Sequence, residues 1–379
     1  MSLHDLEGSA TLEIVNLVLK KQSSGEKVLS LAVGEPVYDT PKEIIKAALE
    51  GMNAGMTHYT SSYGIPEVRS AIVKKVARKN RINCTEENTI FLASKMSIYA
   101  TFMALARDHG SEVLIPDPGY FYSDPATLAG MKPVCYNLNP DYSLNIGEIK
   151  KKISKNTKAI IINTPSNPTG KVYGRKELEE LYSLCSENNL KIISDEAYED
   201  LVYDKQHVSI GSLEDSPKLV ISIFTLSKSY SMTGWRAGYV VAEKEFIKLL
   251  ARFMEHAFTC FPPFIQHASA VALNSQDHEI EEFRKEFLEK RNLAFRRLKE
   301  IPNIEVNSVE GAFYIFPKYN LKIKSIEMSR SLLSQYNVAV LPGSVFGRNG
   351  ENHFRISYSG DSTIISEAMD KLSEFFRKQ

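Results

Sequence analysis

Through the middle of the chain, short aliphatic and β-branched runs recur, and each ends abruptly in Gly, Pro, Asn, Asp or Ser. They occupy residues 89–92 (TIFL), 112–115 (EVLI), 159–162 (AIII), 191–193 (KII), 219–224 (LVISIF) and 239–242 (YVVA), several of them separated by helical stretches. Nearly continuous apolar strands alternating with helices are covered on both faces, which predicts a mostly parallel sheet. In such sheets ligands sit at the carboxyl ends of the strands. Between Phe224 and Trp235 there are ten residues, fewer than the roughly twelve that a parallel crossover needs. The runs 219–224 and 236–242 are therefore expected to pair antiparallel, making the sheet mixed.

Residues 276–301 carry Ile280, Phe283, Phe287, Ala294 and Leu298 near one face, and Pro302 follows, which predicts a long amphipathic helix. A second helix is expected over Met96–Arg107. Shorter strand-like pieces follow the long helix at 311–316, 338–341 and 354–358. The pattern as a whole predicts an α/β protein. A large domain over 45–275 holds a mixed, mostly parallel, doubly wound sheet covered by helices. A smaller α+β domain combines 1–44 with 276–379. A cleft between two domains is a common place for a small-molecule site.

Composition narrows the function classes. The chain has 379 residues, and its 46 Lys and Arg equal its 46 Asp and Glu, so no overall field favours nucleic acid or an acidic membrane. No run approaches the ~20 apolar residues of a membrane span, and the N-terminus lacks the basic and apolar segments of a signal peptide. The four cysteines (Cys84, Cys135, Cys185, Cys260) form no CxxC pair. They are expected to be free, buried thiols in a reducing cytosol, with neither a disulfide framework nor a metal site.

Five strand ends carry polar or turn chemistry: 93–96 (ASKM), 116–120 (PDPGY), 163–170 (NTPSNPTG), 194–198 (SDEAY) and 225–228 (TLSK). None holds GxGxxG, a P-loop or HExxH. A lysine at such an edge is either a solvated surface group or an amine that forms a Schiff base. The second role needs the pKa lowered from ~10.4 by burial or nearby positive charge, and Arg236 is such a charge if the connection folds back over Lys228. Thr225, Ser227 and Arg236 together make a phosphate cup of hydroxyls and a guanidinium fork. A lysine beside a phosphate cup suggests an aldehyde cofactor carrying a phosphate, and pyridoxal phosphate fits. Its ring nitrogen needs a carboxylate, which Asp195 can supply. Its phenolic oxygen needs a donor, either Asn167 or Tyr198, and its ring face needs a flat partner such as Tyr120. Ser94, Lys95 and Met96 open the second helix, where backbone N–H groups bind phosphate. Singly, Asp195 reads as a helix cap, Tyr120 as a core or surface aromatic and 167–170 as a turn. Their placement on successive strand ends is what points to a site.

Together, the lysine followed by MTGWR, the NPTG and DEAY motifs, and the GEP…DTP segment resemble the fold-type I, class I/II aminotransferases, in that family's order from Gly34 to Arg355. The resemblance implies an aminotransferase that moves an α-amino group to a 2-keto acid through a pyridoxal phosphate Schiff base on Lys228. It implies that Asp195 partners the ring nitrogen, that Asn167 and Tyr198 hold the phenolic oxygen and that Tyr120 stacks on the ring. Thr225, Ser227, Arg236, Ser94 and Lys95 match phosphate ligands. Tyr59 matches a tyrosine that reaches the phosphate from a second subunit, implying a cytoplasmic homodimer. Arg355 matches the clamp on the substrate α-carboxylate, which Gly34 also lines; without the resemblance, Arg355 reads as a surface charge on a strand.

The sequence departs from the family pattern at ASKM, where glycines are usual, at Thr225, where serine is commoner, and at Val37, where aspartate is frequent. The same residues would serve a β-lyase or a related elimination or decarboxylation. A non-catalytic regulatory domain is a third reading, disfavoured by the full set of reactive groups. Residues 256–264 (HAFTCFPPF) are expected to line the substrate pocket, and Lys95, Arg78 or Arg348 to offer a distal positive charge.

Overall fold

The computed structural model describes residues 10–215, 217–275 and 278–379. Its centre is a seven-stranded sheet. The strands are β1 (Thr89–Phe91), β2 (Glu112–Asp117), β3 (Lys132–Asn137), β4 (Thr157–Asn163), β5 (Lys191–Asp195), β6 (Val220–Thr225) and β7 (Gly238–Val241). The spatial order is β1-β7-β6-β5-β4-β2-β3. All neighbours are parallel except β7, which runs antiparallel to both β6 and β1. The short connection after Phe224 thus turns the chain back, as its length requires.

The inner strands are buried at nearly every position, the exceptions being the half-buried Lys158 and Lys191, as sheets covered on both faces demand. The edge strand β3 is the one the apolar runs did not reveal. Only Tyr136 of its six residues is fully buried, and it carries Pro133, which an edge tolerates because one side of the strand needs no hydrogen bonds. One core packs on each face of the sheet. Ile161, Ile193 and Phe224 lie in the first, and Ile160, Ile162 and Ile192 in the second.

The C-terminal third has its own core of Phe287, Ala294, Leu298, Phe313, Met328, Phe354, Ile356 and Leu372. The long helix runs over His278–Lys299; Gln276 and Asp277, where it was expected to begin, lie outside the described residues. The short strands are Tyr314–Ile315, Leu341–Pro342 and Phe354–Ser357, forming an antiparallel group, with Val338–Ala339 separate. Leu29–Ser30 pairs parallel with Val338–Ala339, and the Ser357 N–H donates to the Leu31 carbonyl at 2.8 Å. This pairing stitches the N-terminal segment to the C-terminal third and carries residues 31–35 to the edge of the central sheet. Tyr198 and Leu201, just beyond β5, also pack into the C-terminal core.

Two expectations need correction. The helix expected over Met96–Arg107 spans Ser94–Leu105, because Ala93 is extended and lets the helix begin directly after β1. All four cysteines are free, but only Cys185 is buried; Cys84 and Cys260 are half-buried and Cys135 is exposed on the outward side of β3. No helix among the described residues is long and apolar enough to cross a membrane.

Ile161 is fully buried in the sheet. Ile161→Ala should lower unfolding stability by about 2–5 kcal/mol, and the exposed Lys150→Ala by less than about 0.5 kcal/mol. Chemical denaturation checks both.

Candidate active site

The carboxyl ends of β4, β5 and β6 open into a cavity of about 310 Å³, closed on its other side by Ala32–Gly34, Tyr314, Leu341 and Arg355. It therefore lies between the central sheet and the C-terminal core. Gly34, Lys95, Tyr120, Asn167, Asp195, Tyr198, Thr225, Ser227, Lys228, Arg236 and Arg355 all line it.

Lys228 sits in a one-turn helix, Leu226–Ser229, that begins as β6 ends. Thr225 caps it by accepting the Ser227 N–H at 3.1 Å, the usual use of a hydroxyl at a helix start. The Lys228 ammonium donates to the Gly34 carbonyl at 2.9 Å. Burial lowers its pKa to about 8, with Arg355 and Arg236 adding to the effect against Glu35 and Asp195. A larger fraction of this amine is neutral near pH 7 than of an ordinary lysine. Arg236 is itself exposed and donates from Nη1 to the Thr233 carbonyl at 2.8 Å.

Asp195 closes β5 and is buried. Burial raises its carboxyl to about 6, against the bonds from Tyr122 and the Ala197 N–H. Tyr122 Oη donates to Oδ2 at 2.7 Å. The other oxygen, Oδ1, receives a longer bond from Ala197 N–H at 3.3 Å. The Tyr198 and Tyr314 hydroxyls meet at 2.9 Å, and Asn167 Nδ2 donates to Tyr198 Oη at 3.5 Å.

Arg355 is 4% exposed, which removes the surface-charge reading. Its Nη1 donates to Asn167 Oδ1 at 3.1 Å and its Nη2 to the Ala32 carbonyl at 2.6 Å. The guanidinium lies 4.4 Å from the Tyr314 ring centre, and Nε has no partner. No carboxylate pairs with it among the described residues, so a buried positive charge lines the cavity without an anionic partner. Such a group is costly unless an anion completes it.

Gly34 is needed for contact rather than for backbone freedom. A Cβ there would stand 2.0 Å from Tyr314 Oη.

Some expected residues stand apart. Met96 turns its side chain into the sheet core, while its N–H remains in the first turn of the Ser94–Leu105 helix, where backbone donors have no helical partner. Ser94 is the first residue of that helix; its side chain lies outside the described residues. Tyr59 is 88% exposed and is not part of the cavity. None of residues 256–264 lines the cavity of the single chain, and Phe258 is solvent-exposed. Of the three cations considered for a distal charge, Lys95 lines the cavity, and Arg78 and Arg348 do not. The structure adds Tyr122, Asn163, Tyr314 and Thr233. Asn163 was visible as the first residue of the strand-end segment 163–170. The two tyrosines gave no signal, since each looks like a core aromatic until its hydroxyl partner is known.

A family model described as "Aminotransferase class I and II" matches residues 26–372. An aspartate aminotransferase of Pyrococcus abyssi is 40% identical over 93% of this chain and 92% of that protein. An aromatic-amino-acid aminotransferase of Thermococcus litoralis is 37% identical over 93% of each. Among solved structures, an alanine aminotransferase from Pyrococcus furiosus superposes with a TM-score of 0.94 at 32% identity, over 100% of both chains. The Thermus thermophilus aspartate aminotransferase with maleate superposes with 0.94 at 29% identity, over 99% of each.

In the protein free of any cofactor, acylation of Lys228 by an amine-selective reagent should show a midpoint near pH 8. Solvated lysines should titrate near ~10.4. Site-resolved mass spectrometry across pH checks this, and a Lys228 midpoint above ~10 would contradict its burial.

Proposed function

From the premise that the chain belongs to the class I and II aminotransferases, we propose how its own residues perform that family's reaction. It is an enzyme that transfers an α-amino group between an amino acid and a 2-keto acid, with pyridoxal phosphate as cofactor. When bound, that group supplies an aldehyde carbon to carry the amine and a ring to absorb negative charge. The lining suits it. A buried carboxylate with a loosely held oxygen, a desolvated amine and a basic, hydroxyl-bearing cup surround one cavity.

The observation that carries the reading is the convergence of Lys228, Asp195 and Arg355, three ionisable groups from three parts of the chain, on that cavity. Lys228 would be the amine that holds the cofactor's aldehyde carbon. Its Nζ would also be the base that takes the substrate Cα proton and hands it on, a contribution worth roughly 10²–10⁴-fold. A pKa near 8 keeps the freed amine partly basic at neutral pH. Asp195, held at Oδ2 by Tyr122, would partner the cofactor's ring nitrogen and favour its protonated form. Tyr198 and Asn167 would serve the phenolic oxygen, and Tyr120 would cover the ring face. Thr225, Ser227 and Arg236 would hold the phosphate, joined by Ser94, Lys95 and Met96 through the free amides of a helix start. Arg355, a buried guanidinium with no carboxylate partner, and the backbone of Gly34 would receive the substrate α-carboxylate.

Tyr59 and Phe258 are exposed large side chains. We assign them to a homodimer interface, across which Tyr59 reaches the neighbouring phosphate site. Residues 45–275 form the cofactor-binding unit, and 1–44 with 276–379 the smaller unit. The free cysteines support a cytosolic setting.

Lys95, on the cavity wall with Arg355, favours a dicarboxylic amino acid among the substrates. Val15, Val33, Phe121 and Leu341 leave room for apolar side chains too. Lys95→Ala should raise KM for aspartate about tenfold, as for a lost charged hydrogen bond, with little change for phenylalanine. An equal effect on both would remove Lys95 from substrate selection.

Borohydride reduction of the holoenzyme should fix the cofactor to the peptide containing Lys228, as peptide mass spectrometry would show. Lys228→Ala should lose that adduct and at least ~10²-fold in turnover. Near-normal transamination by this variant would overturn the assignment. Release of free ammonia and the cleaved side-chain fragment alongside a 2-keto acid, with no keto-acid acceptor required, would favour the lyase reading.

A further inference from the structure

Behind the cavity wall lies a cluster of four ionisable side chains that the reaction does not use. Lys75 ends the helix Pro66–Lys75, and Lys79 lies in the π-turn Val76–Asn80. Glu199 and Asp200 belong to the loop after β5 that also carries Tyr198. Lys75, Glu199 and Asp200 are each at least nine-tenths buried. Lys75 pairs with Glu199, and Lys79 with Asp200. Asn80 joins the first pair, accepting from Lys75 at 2.9 Å and donating to Glu199 Oε2 at 2.6 Å. Two positive and two negative charges balance, as buried charges must.

The cluster reaches the active site through one hydroxyl. Ser229 follows Lys228 in the one-turn helix, is buried, and donates from Oγ to Asp200 Oδ2. A serine in a helix commonly bonds back to its own helix; this one ties the lysine's helix to a different segment. Lys75 also sits 4.7 Å from the ring centre of Phe224, two residues before the start of that helix. Burial acts to raise the Asp200 carboxyl, but Lys79 and Lys75 outweigh it and hold it below its ordinary value, so the acceptor of the Ser229 bond is charged.

We propose that Asp200 is a positioning residue, fixing through Ser229 the short helix that presents Lys228 and, through its own loop, the placement of Tyr198. The inference rests on the reading of Lys228 as the reacting amine. A lysine that must reach the aldehyde carbon and then the substrate Cα proton is sensitive to displacements of about 1 Å. A four-residue helix has too few internal hydrogen bonds to hold itself. The charged acceptor supplies what the helix lacks.

Ser229→Ala removes the hydroxyl and leaves all four charges and both ion pairs. In the holoenzyme, kcat should fall about tenfold, with KM for the amino acid within about twofold, the pattern of a lost transition-state alignment. In the cofactor-free protein, amide exchange across residues 226–230 should quicken by about fivefold or more, because a local restraint is gone. Ser229→Thr, which keeps the hydroxyl, should restore both kcat and slow exchange.

Wild-type kcat and wild-type exchange in Ser229→Ala would overturn the proposal. So would a Ser229→Thr variant as impaired as Ser229→Ala. Should Ser229→Ala not fold, Ser229→Cys, of similar volume and a weak donor, replaces it in both measurements. A fall in kcat with faster exchange then supports the proposal, and wild-type values of both overturn it. A wild-type enzyme that gives no borohydride adduct at Lys228 defeats the reading beneath the proposal. A normal adduct with an unaffected Ser229→Ala defeats the proposal alone.

Discussion

The chemistry of this chain depends on keeping three ionisable groups out of water in one place. Lys228 is pulled down to about 8, Asp195 is pushed up to about 6, and Arg355 is lowered, in each case chiefly by burial. Desolvation moves acids up and bases down, so one physical effect readies a base and leaves a carboxylate responsive to a partner. The same effect makes these groups costly on their own: a buried guanidinium without a carboxylate and an amine resting on a carbonyl are groups short of partners. A ligand that brings an anion for Arg355 and an electrophile for Lys228 relieves both.

That burial is produced by two cores meeting. The parallel strands end together and deliver Asn163, Asp195 and Thr225 to one edge, while Leu29–Ser30, paired to Val338–Ala339, brings Gly34 over them. Tyr314 binds the halves chemically: its hydroxyl meets Tyr198 from the loop after β5, its ring lies under Arg355, and its approach to residue 34 leaves no room for a Cβ. The loop 196–200 faces both ways, with Tyr198 toward the cavity and Glu199 and Asp200 toward the buried ion pairs. Positioning of the reacting lysine is thereby linked to the packing behind the sheet.

Much of this was legible in the sequence because it is local. Each inner strand is a run buried on both faces, so its composition alone reveals it, and the polar residue where the run stops is the residue the fold delivers to the site. The ten-residue return after Phe224 fixed an antiparallel neighbour by chain length alone. What escaped notice depends on distant partners. The edge strand 132–137 has one wet side and a proline, so no apolar run marks it. Tyr122 and Tyr314 look like any core tyrosine until Asp195 and Tyr198 are placed beside them. Arg355 looked like a surface charge because strand alternation cannot say whether the far face meets water or a cavity. Residues 256–264 read as a pocket wall for their apolarity, yet in the single chain they lie away from it.

The central claim is that one desolvated lysine, opposed by a buried arginine, passes an amino group through the cavity. The visible absorption spectrum of the purified enzyme with pyridoxal phosphate, followed as single amino acids are added without a keto acid, tests it most directly. The account predicts a visible band that fades with aspartate or another accepted amino acid and returns when 2-oxoglutarate is added. A band that persists with every amino acid offered, or no band even with excess pyridoxal phosphate, would contradict it.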